Sequence, residues 1–269
     1  MRRSVGRFER SEALLGREAM ARLAAARVLV VGVGGVGSWC AEALVRTGVG
    51  HVTLVDDDVV AESNVNRQCP ATSKTIGRPK VEVMAERLLE INPSCEIEAL
   101  PVRYPSVPSS LFSIEAIAKP LHCPVGALAD GRLIGNSRTF ASARAPTRRG
   151  FAIASIVIDA IDSVDCKAQL ILDAFAAGVP VVSSMGAALR TDPTKVKVVR
   201  FDKVEGDGLA KALRNRFRKL GQFPGKFPCV CSTESPRTAQ SLPRGSLMPV
   251  TATFGMCLAA EAMRILIES

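Results

Sequence analysis

The sequence predicts an α/β fold whose sheet is mostly parallel and doubly wound, with helices covering both faces. An apolar run beginning at Val28 leads into Gly32-x-Gly34-Gly35-x-Gly37, and a helical pattern follows. A second apolar run, Val52 to Val55, ends at Asp56. Strand and helix patterns alternate along much of the chain, which is the order that produces a parallel sheet. Because a strand, a tight glycine turn and a helix N-terminus together attract phosphate, the fold is expected to be Rossmann-like.

The elements of the first hundred residues follow from the spacing of their apolar positions. We predict a helix over 9–26, strands near 27–33 and 51–56, a helix near 36–47, a helix from Pro79 to Asn92, and a strand near 95–103. Gly48 is expected to end the second helix, and Pro79 suits a first helical turn. The apolar side of the first helix is predicted to carry Leu14, Leu15, Met20 and Leu23.

Residues 105–150 have a different composition, rich in Pro, Ser, Arg and Gly, and most of this stretch is expected to be a long loop or a disordered insert. The alternation of strand and helix patterns resumes after the insert, with a strand at 151–161, a helix ending at Gly178 and a strand at 179–183. Apolar and polar residues alternate again near 195–201. Helices are then predicted over 207–220 and 251–267. The expected organisation is one domain over 1–269 that carries the insert and ends in a helical, basic segment.

The chain of 269 residues has a net charge of +9 and a pI near 9.4. This balance favours a polyanionic partner, although a basic cytosolic protein with no such partner has the same composition. The eight cysteines form no CxxC pair, so a four-cysteine zinc site has no support. The start lacks a signal-peptide core, and no run of about 18 apolar residues suggests a membrane span. A reducing compartment is expected, the cytoplasm in the first place and an organelle as the alternative.

Several polar residues outside the glycine motif have side chains suited to phosphate chemistry. Asp56 follows a strand, where a carboxylate can accept hydrogen bonds from ribose hydroxyls. Arg67 can hold an anion with its planar fork, and Lys80 begins a helix whose dipole favours the same anion. Asp162 is expected beside the glycine turn, where a carboxylate can hold Mg²⁺ against phosphate oxygens. The alternatives are surface salt bridges for Arg67 and Lys80, a helix cap for Asp162, and a solvated Asp58.

The helix predicted over 207–220 is strongly basic. Its apolar stripe leaves five cations on the rest of the surface, and no acid occurs among residues 209–220. The five cations are Lys211, Arg214, Arg216, Arg218 and Lys219. They favour contact with nucleic acid phosphate, with an ordinary exposed helix face as the alternative.

Taken together, these motifs resemble the ubiquitin-activating-enzyme superfamily, which includes the bacterial adenylating enzymes of molybdopterin and thiamine synthesis. The motifs are Gly32 to Gly37, Asp56-x-Asp58, Asn64-x-Asn66-Arg67-Gln68, Gly77-x-Pro79-Lys80 and Asp159-x-x-Asp162. The segments Arg7-Phe8-x-Arg10, Ile158 to Ser163, the basic helix and Cys229 to Glu234 are more narrowly similar to the tRNA threonylcarbamoyladenosine dehydratases. The resemblance covers about 1–103 and 151–269.

The resemblance implies an ATP-dependent enzyme that adenylates the threonyl carboxylate of a modified adenosine beside the tRNA anticodon, after which the side chain cyclises with net loss of water. Catalysis would depend on Arg67, Lys80 and Asp162, with Asp162 holding Mg²⁺. The nucleotide would be bound by Gly32, Gly34, Gly35, Gly37, Asp56, Asp58, Asn64, Asn66 and Gln68. Arg10 would reach the nucleotide of a neighbouring protomer, which implies a homodimer, and the segment 207–235 would contact tRNA.

Three other functions remain open from the sequence. The first is adenylation of the C-terminus of a small sulfur-carrier or ubiquitin-like protein, which shares every ATP-binding residue. The second is an NAD-dependent oxidoreductase, and the third is a tRNA-binding scaffold without catalysis. Whether a sulfur-transfer partner exists also stays open. Cys229 and Cys231 could suggest a thiol relay, but cyclisation needs no cysteine.

Overall fold

The computed structural model describes residues 6–104, 154–237 and 245–268. Within them, seven strands form one sheet in the order β3-β2-β1-β4-β5-β7-β6. The strands are β1 (Arg27–Val31), β2 (His51–Val55), β3 (Glu96–Leu100), β4 (Ile156–Asp159), β5 (Val181–Ser184), β6 (Val196–Arg200) and β7 (Pro228–Ser232). All neighbours pair in parallel except β6 with β7, so the predicted mostly parallel sheet is confirmed.

The helices cover both faces of this sheet. They are α1 (Glu9–Ala25), α2 (Gly37–Thr47), α3 (Lys80–Ile91), α4 (Val164–Ala176), α5 (Gly208–Leu220) and α6 (Met248–Glu268). One apolar core joins the sheet to α2, α3 and α6, and a second joins its other face to α4 and α5. Because helices pack on both faces of the sheet, the predicted doubly wound arrangement is confirmed. The predicted insert at 105–150 lies outside the described residues.

The first helix differs from its prediction. Leu14 and Leu15 were expected on an apolar side, but Leu14 is 84 % exposed and Leu15 is 36 % exposed. Gly16 has φ 82° and ψ 163°, which interrupts the helical path and changes the phase of the residues on either side of it. The buried positions of α1 are Ala19 and Leu23.

Among the described residues, α6 is the helix long and apolar enough to cross a membrane, with 21 residues and a mean hydropathy of 1.5 over an 18-residue window. Its Phe254 and Leu258 are fully buried in the core that α6 shares with α2. A Cβ atom on Gly255 would lie 2.6 Å from the carbonyl oxygen of Val36, so the two helices pack in close contact. These contacts are those of a core helix.

Candidate functional site

The glycine turn, residues 32–37, joins β1 to α2 at the carboxyl edge of the sheet. Gly32 has φ +93°, and a Cβ there would lie 2.6 Å from the carbonyl oxygen of Ala160. At Gly37 a Cβ would lie only 1.8 Å from the carbonyl oxygen of Gly32. Both positions therefore require glycine, and the backbone can turn tightly into the first turn of α2, where helix amide groups attract anions.

Asp56 follows β2 and is hydrogen-bonded to the glycine turn. Its Oδ2 accepts from the amide of Val33 at 2.6 Å, and its Oδ1 accepts from the amide of Asp58 at 2.9 Å. Burial raises the pKa of Asp56, while the Val33 amide and the charge of Lys80 oppose that shift. Because each carboxylate oxygen has two lone pairs, Asp56 keeps acceptor capacity toward a ligand.

Lys80 begins α3 beside the same loop. Its Nζ lies 2.6 Å from Asp58 Oδ2, and the lysine side chain is 5 % exposed while that of Asp58 is 66 % exposed. The alternative of a salt bridge is therefore correct in part, since the pair exists. The lysine is nevertheless held in the protein next to Asp56, and not in solvent as a surface salt bridge would be.

Arg67 and Gln68 lie against the glycine turn. A Cβ on Gly35 would be 3.3 Å from Cγ of Arg67, and a Cβ on Gly34 would be 3.8 Å from Nε2 of Gln68. The carbonyl of Arg67 accepts from Trp39 Nε1 at 2.9 Å, which fixes the segment against α2. Oε1 of Gln68 is buried and has no hydrogen-bond partner among the described residues.

The two asparagines of this segment have local bonds that shape the loop. Asn64 Oδ1 accepts from the amide of Ala61 at 3.1 Å, and Asn64 is buried. Asn66 Nδ2 donates to the carbonyl of Ser246 at 2.9 Å, and its Oδ1 accepts from Arg67 Nη1 at 2.8 Å. They thus hold the loop that presents Arg67, and their predicted contact with nucleotide stays a prediction.

Asp162 lies three residues beyond the end of β4. β4 pairs with β1, and Val31 is opposite Asp159, so the chain leaves β4 directly beside the glycine turn. Asp162 is exposed there. α4 begins after Ser163, whose side chain makes no capping bond. The exposed carboxylate therefore remains available at this edge.

A buried ion pair fixes the loop that carries Asp162. Lys167 Nζ lies 2.7 Å from Asp159 Oδ2, and both side chains are fully buried. The same carboxylate oxygen accepts from Ser183 Oγ at 2.6 Å, and Asp159 Oδ1 accepts from the amide of Ile161 at 3.2 Å. Sequence reasoning used Asp159 as part of a motif but missed Lys167 and Ser183, because neither lies in a recognisable local pattern.

Arg10 lies away from the glycine turn of its own chain. Phe8, just before α1, packs against Gly48 at the C-terminal end of α2. The glycine turn is at the other end of this 11-residue helix, about 16 Å away at 1.5 Å per residue. Arg10 lies in the first turn of α1, two residues after Phe8. It is therefore near the edge of the sheet opposite the glycine turn of its own chain.

The five predicted cations of α5 do not share one environment. Arg214 donates to the carbonyls of Phe201 and Val204 and lies 5.1 Å from the Phe201 ring centroid, so its charge is directed into the protein. This corrects its predicted place on the nucleic-acid surface, because the helix phase brings it over the adjacent 201–204 turn. Arg216 pairs with Asp165 of α4 at 2.8 Å. The exposed members are Lys211, Arg218 and Lys219.

The cysteines that suggested a thiol relay are core residues of β7. Cys229 and Cys231 are buried, and burial raises the pKa of both thiols. Nucleophilic cysteines need the thiolate form, which this environment disfavours.

The glycine turn, the carboxylate of Asp56 and the cations at one sheet edge define a Rossmann-type nucleotide-binding protein. Residues 8–123 match the ThiF family. The chain is 35 % identical to a Bacillus subtilis tRNA threonylcarbamoyladenosine dehydratase, over 85 % of this chain and 75 % of the relative. With the Escherichia coli dehydratase the identity is 34 %, over 96 % and 92 % of the two chains. The chain belongs to the tRNA threonylcarbamoyladenosine dehydratase family.

Solved structures agree with this assignment. The E. coli tRNA N6-threonylcarbamoyladenosine dehydratase in complex with ATP superimposes with a TM-score of 0.76 at 35 % identity, covering 97 % of this chain and 94 % of that one. Its complex with AMP gives a TM-score of 0.78. The E. coli molybdopterin-synthase adenylyltransferase is 29 % identical over 89 % of this chain. The resemblance and the Rossmann-like fold expected from the sequence are thereby confirmed.

Proposed function

We propose that this protein is an ATP-dependent tRNA threonylcarbamoyladenosine dehydratase. The observation that carries the proposal is the buried, unpaired Oε1 of Gln68 beside the glycine turn, with Arg67 and Lys80 at the same edge. An unpaired buried acceptor oxygen is costly, so a ligand group that donates a hydrogen bond is expected there. The relatives that match most of the chain favour this activity over adenylation of a sulfur carrier.

In the proposed reaction, the α-phosphate of ATP is the group that is attacked, and the two leaving groups are pyrophosphate in the first step and AMP in the second. The threonyl carboxylate of the modified adenosine attacks the α-phosphate, and pyrophosphate leaves. A nucleophile within the same side chain then attacks the acyl carbon, the ring closes and AMP leaves, so the net change in the nucleoside is loss of water. Tethering gives this second attack a high effective molarity.

The protein side chains have separate tasks in this scheme. Gly34, Gly35 and Gly37 let the phosphates approach the backbone, and Asp56 accepts from the ribose. Arg67 and Lys80 stabilise charge on the phosphate oxygens, and the free Oε1 of Gln68 accepts a hydrogen bond from a donor group of the same ligand.

The residues at this edge also fit a magnesium ion. The exposed carboxylate of Asp162 is a hard oxygen donor, and Mg²⁺ is commonly held by one or two carboxylates together with substrate phosphates. When bound, the ion would neutralise charge on the phosphates.

Two further parts of the proposal concern partners. Arg10, on the edge opposite its own glycine turn, would complete the nucleotide site of a second copy, so the enzyme would act as a homodimer in the cytoplasm. The exposed cations Lys211, Arg218 and Lys219 of α5 would contact the tRNA backbone.

The function is tested by incubating the purified protein with ATP, Mg²⁺ and tRNA that carries threonylcarbamoyladenosine, then digesting the tRNA for mass spectrometry. We expect the modified nucleoside to lose one water, with one AMP released for each conversion. No conversion would refute the proposal. Pyrophosphate exchange that a sulfur-carrier protein stimulates and tRNA does not would assign the alternative activity.

The tRNA surface is tested with the triple variant Lys211→Gln, Arg218→Gln, Lys219→Gln. We expect KM for tRNA to rise about tenfold near 0.15 M salt, and the salt dependence of binding to fall by about two to three units of slope, because each phosphate contact releases counterions. KM for ATP should be unchanged. Arg264→Gln on α6, on the opposite sheet face, is the matched control. Equal effects of the triple variant and the control would contradict the assignment.

A further inference from the structure

A groove opens between α4 and the turn that follows α5, on the sheet face that these two helices cover. Its volume is about 390 Å³. Its lining residues are Gln169, Leu172, Asp173 and Ala176 of α4, with Gln222 and Phe223 of the turn. Phe223 is 71 % exposed, more than any other Phe, Tyr or Trp side chain within the described residues. The groove therefore presents an aromatic ring to solvent beside amide and carboxylate groups.

The turn that carries Phe223 is anchored on both sides of the ring. Before it, Gly221 ends α5 in the left-handed conformation, with φ 64°, as a glycine helix cap does. After it, a Cβ on Gly225 would lie 2.7 Å from Cε1 of Phe175, so the backbone packs closely on α4. Since the ring is held on an anchored turn, little ordering is needed when a flat ligand binds against it.

Asp173 gives the groove hydrogen-bond acceptors. Its Oδ1 accepts from Gln169 Nε2 at 2.8 Å, and its Oδ2 accepts from the Tyr104 hydroxyl. Each carboxylate oxygen has two lone pairs, so acceptor capacity remains for a ligand amino group. A carboxylate at this place repels phosphate. The groove therefore suits the base of a nucleotide and not its phosphate.

The flank of α5 that faces α4 is cationic. Arg216 lies on this flank, since its Nε is 2.8 Å from Asp165 Oδ1 in the first turn of α4. Lys219 comes three residues later, on the same side of the helix, and is exposed. The turn with Phe223 follows directly. Cations that meet phosphates beside an aromatic ring that meets bases are the combination that binds single-stranded nucleic acid.

The groove lies close to the edge of the sheet where the nucleotide is expected. α4 begins two residues after Asp162, and Gln169 is seven residues beyond Asp162, about 10 Å away at 1.5 Å per residue. Nucleotides of one strand follow each other at about 3.4 Å along a stacked helix. The separation therefore corresponds to about three nucleotides.

We propose that this groove binds one unstacked base of the RNA substrate, about three nucleotides from the adenosine that reacts, with Phe223 as the stacking surface. The inference rests on the proposed function, since that function brings a tRNA loop to this edge. The base stacks on the ring, its amino group donates to Asp173, and the adjoining phosphates face Lys219. Proteins that recognise RNA loops commonly hold splayed bases against aromatic side chains. Phe223 would thus fix the direction in which the loop enters the nucleotide cleft.

The test measures the Kd of the full chain for a fluorescent anticodon stem-loop RNA that carries threonylcarbamoyladenosine, by anisotropy at several salt concentrations. We expect Phe223→Ala to raise this Kd about 5- to 30-fold, within the range of a lost base-stacking contact. The slope of log Kd against log salt concentration should not change, because no phosphate contact is removed. Phe223→Trp, which keeps an aromatic ring, should stay within about threefold of the wild type. Leu89→Ala, at a side chain 41 % exposed on α3 of the other sheet face, is the matched control and should leave the Kd unchanged.

A scan with single abasic positions identifies the base. One abasic RNA should bind the wild type as weakly as the intact RNA binds Phe223→Ala, and Phe223→Ala should lose nothing further on that RNA, because the two changes remove the same contact. An unchanged Kd in Phe223→Ala would overturn the inference while conversion of the modified tRNA stands, and would leave the ring to a protein partner. A lower thermal unfolding midpoint in Phe223→Ala with an unchanged Kd would show that the ring packs within this chain, which also overturns it. If the wild type did not bind the modified RNA, the proposed function would fail and this inference with it.

Discussion

Replacement of Lys80 by methionine is expected to lower kcat/KM for adenylation by about 100- to 1000-fold, the loss typical when a preorganised group that stabilises transition-state charge is removed. The Lys80 side chain is 5 % exposed and its Nζ is held 2.6 Å from Asp58. Its backbone amide also donates to the carbonyl of Asp58 at 3.0 Å. A cation fixed in this way needs no rearrangement as charge develops on the α-phosphate. Single-turnover release of pyrophosphate in the presence of modified tRNA measures the effect.

The same substitution should have little effect on folding. Asp58 would lose its partner, but its side chain is 66 % exposed and can be hydrated. Arg78→Met is a matched control, because Arg78 lies two residues earlier and pairs with the exposed Glu86 at 2.5 Å. That control should keep nearly full activity. A loss below about tenfold in Lys80→Met, or a comparable loss in Arg78→Met, would show that Lys80 has no role in the chemistry.

The sequence predicted the centre of the fold well because the central strands are buried on both faces. Such strands appear as apolar runs, which are continuous at Val28 to Val31 and interrupted by the half-buried Thr53 in β2, and each ends at the edge where ligands bind. Glycine is required at positions 32 and 37 by backbone contacts that no larger residue allows, so the motif there is informative without any structure. Asp56, Arg67, Lys80 and Asp162 follow these elements closely, and the structure places them at that same edge.

Other features could not be predicted because they depend on distant contacts. β7 was missed, since Pro228–Ser232 is short, fully or partly buried, and shows neither alternation nor a long apolar run. Arg214 looked like part of a cationic surface, but its direction is set by carbonyls of the turn at 201–204, outside its own helix.

The second large effect is expected in stability, from Lys167→Met. The substitution would leave Asp159 fully buried without its cation, and breaking a buried ion pair by removing one partner costs about 3–5 kcal/mol of unfolding free energy. Ser183 would still donate to the carboxylate, but a hydroxyl does not replace a full charge. Urea unfolding at pH 8 measures the loss. Arg216→Met is the matched control on the neighbouring helix, since its partner Asp165 is 76 % exposed, and we expect a loss below about 1 kcal/mol.

A double variant separates this explanation from a simple packing defect. Lys167→Met combined with Asp159→Asn should recover part of the stability that Lys167→Met loses at pH 8, because the unpaired buried charge is removed. An equal loss in the single and the double variant would mean that the pair acts through shape alone, and that the loop bearing Asp162 is not held electrostatically.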